Sequence, residues 1–184
     1  MSRLTVVIPT LNRHTALKRT LERLARVAPS DAAVHVVADA SERDPARVAA
    51  IGVTHGATVL RAERPGASAA RNVGWRAASS ELILFLGDDI LPGPDLVTQH
   101  LAWHARHPEP TVGVLGHVRW ARGLRVTPFM RWLERGFQFD YPNIVGDEAG
   151  WGRLYTANVS LKRDVIERVD GFDEDRFPFL YEDL

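Results

Sequence analysis

Short apolar runs alternate along this chain with longer segments whose apolar positions recur every three or four residues. Residues 4–8 are a β-branched run stopped by Pro9, and the loop that follows, Thr10-Leu-Asn-Arg13, is polar and turn-prone. Leu17, Leu21, Leu24 and Val27 then repeat at helical spacing among Arg, Lys and Glu, which predicts a helix with one buried stripe. Residues 34–38 predict a second strand ending in Asp39. After it comes a short helix with Asp44 as N-cap, Pro45 at its first position and Gly52 past its end. A weaker strand is expected over 57–60, and a helix of small residues over 67–78, after Gly66. Leu82, Ile83, Leu84, Phe85 and Leu86 form a continuous apolar run, the pattern of a strand buried on both faces, and it breaks abruptly into Gly87, Asp88 and Asp89.

The second half is less regular. An amphipathic helix is expected from Pro94 to His107, before Pro108, and a strand over 112–118 with Gly113 and Gly116 inside it. Thr127 and Pro128 open a further helix in which Phe129, Trp132 and Leu133 share a face, with Gly136 as its stop. That aromatic stripe, continued by Phe137, Phe139 and Tyr141, is expected to be core or lid more often than a surface for a sugar, a lipid carrier or a membrane. Residues 137–151 read as a long functional loop; a short strand over 154–157 and a helix over 162–169 follow. Alternating strands and helices imply an α/β domain with a mostly parallel sheet covered on both faces.

Composition changes this picture little but narrows the chemistry. The chain has 184 residues, 45% hydrophobic and 25% charged, which suits one globular domain. Lys plus Arg and Asp plus Glu number 23 each, so bulk positive charge does not hold a nucleic acid, and an anionic ligand needs local groups. With no cysteine, disulfides and thiolate metal sites are excluded. The N-terminal apolar run is too short for a signal peptide, and no run reaches the length of a transmembrane segment; a soluble, cytoplasmic protein is expected. His100 and His104 sit at helical spacing near His107, but lack the glutamate of a His-Glu-x-x-His metal site.

The strongest local chemistry is Asp88 and Asp89. Carboxylates at the carboxyl end of a buried parallel strand face the crevice where open α/β sheets bind ligands. Two such close acids repel unless a basic group, water or a hard cation compensates them.

Five separated motifs, in order, resemble the family-2 glycosyltransferases of the GT-A fold. They are Val6-Val-Ile-Pro-Thr-Leu-Asn-Arg13; Val36-Val-Ala-Asp-Ala-Ser41; Gly66 with Ala70-Arg-Asn-Val-Gly74; Gly87-Asp-Asp89; and Thr156-Ala-Asn-Val-Ser160, followed by Gly171-Phe-Asp-Glu174 and Glu182-Asp183. The resemblance spans essentially the whole chain and implies an enzyme using a nucleotide-sugar donor, most commonly a UDP-sugar. It implies that Pro9, Thr10, Asn12, Arg13, Asp39, Arg71 and Asp88 bind the donor, with Asp39 on the nucleoside and the Arg71 fork on phosphate. Asp89 would hold Mg2+ or Mn2+ between the phosphates. Asp183, supported by Glu182, would act as general base in an inverting transfer to a carbohydrate or other hydroxyl acceptor touched by Trp151 and Asn158. Asn72 and Gly74 suit close backbone packing.

Two positions depart from the family pattern: Ala38 replaces the first acid of the second motif, and Gly87 the first acid of Asp-x-Asp. The chain also stops at Leu184, directly after the Glu-Asp pair. The expectation is therefore a single domain, with a donor half at 1–92 and an acceptor half at 93–184 that is incomplete at its C-terminus. The competing expectation is a catalytically inactive nucleotide-binding or partner-binding module. Peripheral membrane contact is compatible with either.

Overall fold

The computed structural model describes residues 2–135 and 140–179. Its elements are β1 (Leu4–Thr10), α1 (His14–Val27), β2 (Ala32–Ala38), α2 (Pro45–Thr54), β3 (Thr58–Arg61), α3 (Ala67–Arg76) and β4 (Leu82–Leu86). There follow α4 (Leu96–Arg106), β5 (Val114–Leu115), α5 (Pro128–Glu134), β6 (Asn158–Lys162) and α6 (Arg163–Arg168), with single 3-10 turns at Tyr141–Asn143 and Trp151–Arg153. The sheet order is β3-β2-β1-β4-β6-β5. The first four strands in that order are parallel, while β6 runs antiparallel to both β4 and β5.

Because strand side chains alternate between faces, β1 and β4 feed two cores at once. Val6, Ile8, Leu84 and Leu86 pack with Leu17, Leu21 and Leu24 of α1 and Val97 of α4. Val7, Ile83 and Phe85 face the other way, onto Ala69, Ala70 and Trp75 of α3 and Ile166 of α6. The α3 helix comes close to the sheet because Gly74 has no side chain: a Cβ there would lie 2.3 Å from Val7 Cγ1 and 3.1 Å from Val37 Cγ2.

The hydrophobic pattern located every element of the first half, and the differences have local causes. Gly52 does not end α2, which continues to Thr54; a Cβ at Gly52 would lie 2.2 Å from Val59 Cγ2, so the glycine serves helix–sheet contact. The chain reverses instead at Gly56, with φ 72°. Only two residues of the strand expected over 112–118 join the sheet, as β5. The strand expected over 154–157 is instead β6, beginning at Asn158, where antiparallel pairing with β4 fixes the register. The aromatic face of α5 is not core: Phe129 is 65% and Trp132 62% exposed. Gly136, Phe137 and Phe139 lie outside the described residues.

The two helix histidines hold α4 to β6. Asn158 Oδ1 can only accept, so His100 Nε2–H donates to it at 3.1 Å, and Ser160 Oγ–H donates to His100 Nδ1 at 2.7 Å. Ser160 Oγ in turn accepts from His104 Nε2–H at 2.8 Å. These bonds make the His100 ring neutral, and burial lowers the pKa of both rings to about 4. For His104 the Lys162 charge adds to the effect, and for His100 the protonated neighbouring ring would.

Two measurements check this packing. Gly74→Ala should destabilise the protein by about 1–3 kcal/mol through overpacking against Val7, read from urea unfolding. Because the histidine pKa values are depressed on folding, the unfolded chain binds more protons between about pH 6.5 and 4. Stability should therefore fall as the pH drops through that window, and the loss should be smaller in a His100→Phe/His104→Phe variant.

Candidate active site

In the strand order β3-β2-β1-β4, the chain leaves β1 toward β2 on one side and later returns to β4 on the other, so the connections diverge at the β1/β4 boundary. Crevices open at such switch points, at the carboxyl ends of the strands. Thr10 ends β1, Asp39 follows β2 and Asp88 follows β4, so three of the predicted residues share this edge.

Asp88 is the buried member, 4% exposed. Thr10 Oγ1–H donates to its Oδ2 at 2.8 Å, and Thr20 Oγ1–H donates to its backbone carbonyl at 2.8 Å. Arg13 spans both acids, with Nη1 3.2 Å from Asp88 Oδ1 and Nη2 2.5 Å from Asp89 Oδ2. The Asp89 side chain is 51% exposed, on the open side of the pair. Burial raises the Asp88 pKa, helped by the Asp89 charge, against the opposing pull of Thr10 and Arg13. Burial would lower that of Arg13, but the bond to Asp89 and the two acid charges outweigh it and raise it.

Gly87 makes the turn into this pair tight: a Cβ there would lie 3.1 Å from both Asp89 Oδ1 and Ile90 Cγ1. Pro9 lies within β1, paired with Val37. Asn12 adopts φ 55°, and its Oδ1 accepts from Arg43 N–H at 3.1 Å, tying the β1–α1 loop to the β2–α2 loop.

Sequence reasoning missed the residue that clamps these two loops. Glu42, its side chain fully buried, accepts from Asn12 N–H at 2.5 Å, Asp44 N–H at 2.9 Å and His14 Nε2–H at 3.0 Å. Burial alone would raise its pKa; the two backbone donors and His14 outweigh that and lower it. An acid followed two residues later by a helix N-cap was the available signal.

Asp39 is likewise buried. Its Oδ1 accepts from Ser41 N–H at 2.7 Å and its Oδ2 from Gly66 N–H at 2.6 Å, so it joins the end of β2 to the start of α3. Beside it lies an open depression of about 420 Å3 lined by Ala40, Arg61, Ala62 and Glu63, none of them singled out from sequence.

Arg71 is buried on α3, its guanidinium 5.6 Å from the ring centre of Phe172. Asn72 next to it is fully used. Its Nδ2 donates to the Phe172 carbonyl at 2.9 Å and to Glu174 Oε1 at 2.6 Å, while its Oδ1 accepts from Trp75 Nε1–H and Phe172 N–H. These bonds fix the Gly171-Phe-Asp-Glu174 turn on α3.

The two residues expected to touch an acceptor separate. Trp151 is 86% exposed on the rim of a large cavity of about 1330 Å3, which Trp103, His117 and Tyr141 also line. Asn158 lies apart from it, buried and bonded to His100, because antiparallel pairing with β4 turns its side chain toward α4. Glu182 and Asp183 lie outside the described residues.

The acids fit a hard cation. They offer oxygen donors only, and a Mg2+-like ion is commonly held by one or two carboxylates with substrate phosphates completing its shell. No cluster of three or more His, Asp or Glu able to hold a metal without substrate occurs among the described residues.

Residues 5–164 match the model of Glycosyl transferase family 2, and the chain belongs to that family. It is 32% identical to validoxylamine A glucosyltransferase of Streptomyces hygroscopicus subsp. limoneus, over 94% of this chain and 44% of that protein. The chain spans about half the length of the curated relatives it matches. Among solved structures, mannosyltransferase PcManGT of Pyrobaculum calidifontis, in complex with GDP-Man and Mn2+, superimposes with a TM-score of 0.66 at 24% identity, covering 94% of this chain and 48% of that one. Staphylococcus aureus TarS 1–349 in complex with UDP does so with a TM-score of 0.73 at 20% identity, covering all of this chain and 53% of that one. These likenesses establish the GT-A fold.

Two substitutions separate the roles of the acids. Glu42→Ala strands three donors and should cost about 2–4 kcal/mol in urea unfolding. Asp88→Asn removes a buried charge while keeping an acceptor for Thr10; it should leave stability unchanged or raise it, at the expense of ligand binding.

Proposed function

We propose that this chain carries the donor site of a metal-dependent, inverting glycosyltransferase that takes its sugar from a nucleoside diphosphate, with UDP as the nucleotide. The observation that carries this reading is the Arg13–Asp88–Asp89 cluster at the β1/β4 switch point, a guanidinium and two carboxylates of opposite charge at the edge where such sheets take phosphorylated ligands.

In this reading the nucleobase enters the depression beside Asp39, between the ends of β2 and β3. Asp89, backed by Asp88, holds Mg2+ or Mn2+. A bound cation supplies charge neutralisation for the leaving diphosphate. Arg13 is a planar donor fork suited to phosphate oxygens, and its position between the acids lets it exchange carboxylate for phosphate as the donor arrives. Arg71, bracketed by Phe172, is the second guanidinium on the donor side.

Transfer requires the acceptor hydroxyl oxygen to bond to the anomeric carbon as the bond from that carbon to the diphosphate oxygen breaks. The hydroxyl proton passes to a carboxylate, assigned here to Asp183 with Glu182 in support. One displacement inverts the anomeric centre. Residues 1–92 then form the donor half and 93–184 the acceptor half, with Trp151 at the rim of the large cavity as a stacking surface for a sugar. The family membership and the curated glucosyltransferase relatives support a hexosyl donor.

Calorimetric titration of UDP in the presence of Mn2+ tests the donor site. Binding should disappear with EDTA and fall at least tenfold in Asp89→Ala and in Arg13→Ala. Binding of UDP indifferent to both metal and Asp89 would instead favour a nucleotide-binding module without transfer, and absence of binding to UDP, GDP and dTDP alike would end the donor-site reading.

A further inference from the structure

Residues 119–135 carry five arginines, Arg119, Arg122, Arg125, Arg131 and Arg135, against the single acid Glu134, in a chain whose 23 basic and 23 acidic residues balance overall. All five are exposed, and among the described residues none of their side chains makes a hydrogen bond or ion pair. Some exposed arginines elsewhere pair with acids, as Arg64 does with Glu174 and Asp175, and Arg76 with Asp170 and Glu174, while Arg19, Arg26, Arg43 and Arg47 also make no side-chain hydrogen bond or ion pair among the described residues. What sets residues 119–135 apart is the density of such arginines, five in 17 residues beside one acid.

The same stretch exposes large apolar groups. Phe129 and Trp132 stack on each other, ring centres 5.7 Å apart and 23° between planes, and Leu124 is exposed beside them in sequence. No residue of α5 is buried. The helix is specified locally, by Thr127 Oγ1 accepting from Met130 N–H at 3.2 Å and by Pro128 at its first position, rather than by packing. The helix thus turns two rings and the Arg131 guanidinium to water.

Arginine side chains attract lipid phosphates, while tryptophan and phenylalanine settle at the headgroup level of a bilayer. We propose that residues 119–135 form a docking surface for an anionic lipid bilayer, with Phe129 and Trp132 entering the headgroup region and the five arginines contacting lipid phosphates. A soluble polyanion would satisfy the guanidiniums alone and leave the ring pair in water. The bilayer satisfies both halves of the surface. No described helix is long and apolar enough to cross a membrane.

Flotation of the whole chain with vesicles tests this without any nucleotide, so its outcome is separate from that of the donor site. The chain should float with vesicles of mixed phosphatidylglycerol and phosphatidylcholine, progressively less as salt is raised, and not with phosphatidylcholine alone. Arg122→Ala/Arg125→Ala should weaken partitioning about thirtyfold, the usual effect of two basic residues near an anionic surface. Phe129→Ser/Trp132→Ser should weaken it at least tenfold with the circular dichroism spectrum and Tm unchanged, since neither side chain is buried. Failure to float with anionic vesicles at low salt would overturn the proposal. So would flotation indifferent to Phe129 and Trp132, or tighter binding to heparin or DNA that does not need these rings, which would assign the surface to a soluble polyanion.

Discussion

A buried carboxylate held at the mouth of a parallel sheet is the constraint on which this molecule depends. Asp88 sits where β1 and β4 diverge, and taking its charge out of water is costly without compensation. Thr10 and Arg13 provide the compensation, and both come from the end of β1 and the loop after it. The site is thereby tied to the sheet: the residues that neutralise Asp88 can do so only if β1 and β4 are in register, which the shared cores on both faces enforce. Arg13 reaches past the buried acid to the half-exposed Asp89, so the open side of the cluster faces solvent.

Around this point the loops are stitched by acids and amides bonded to backbone N–H groups. Asp39 joins β2 to α3, Glu42 joins the loops after β1 and β2, and Asn72 pins the turn at 171–174. Each joins segments far apart in sequence by short bonds in space. Asn12, which the resemblance puts on the donor, has its Oδ1 bonded to Arg43 N–H, and Asn72 spends its amide on Trp75 and the 171–174 turn.

The legible part of the fold was the part with strong periodicity. The apolar runs of β1, β2 and β4 and the leucine stripe of α1 carry their own signal, and the Asp88–Asp89 pair announced itself by following a buried strand. What stayed hidden depended on long-range pairing. The start of β6 is set by its antiparallel partner β4 and not by its own residues, which is why Asn158 points inward to His100. Glu42 looked like any loop acid because its three donors come from two different loops. Gly52 looked like a helix stop because the sequence does not show Val59 pressed against it. The ring pair of α5 looked like core or lid because an apolar face carries no label saying what covers it.

The central claim is that the Asp88–Asp89 pair and a nucleoside diphosphate share one cation. Electron paramagnetic resonance titration of free Mn2+ against the chain, with and without UDP, tests it most directly, because coupling between two ligands is reciprocal. The account predicts weak Mn2+ binding to the chain alone, tightened at least tenfold by UDP, with the tightening lost in Asp89→Ala. Mn2+ binding that UDP leaves unchanged, or a tightening that survives Asp89→Ala, would contradict it.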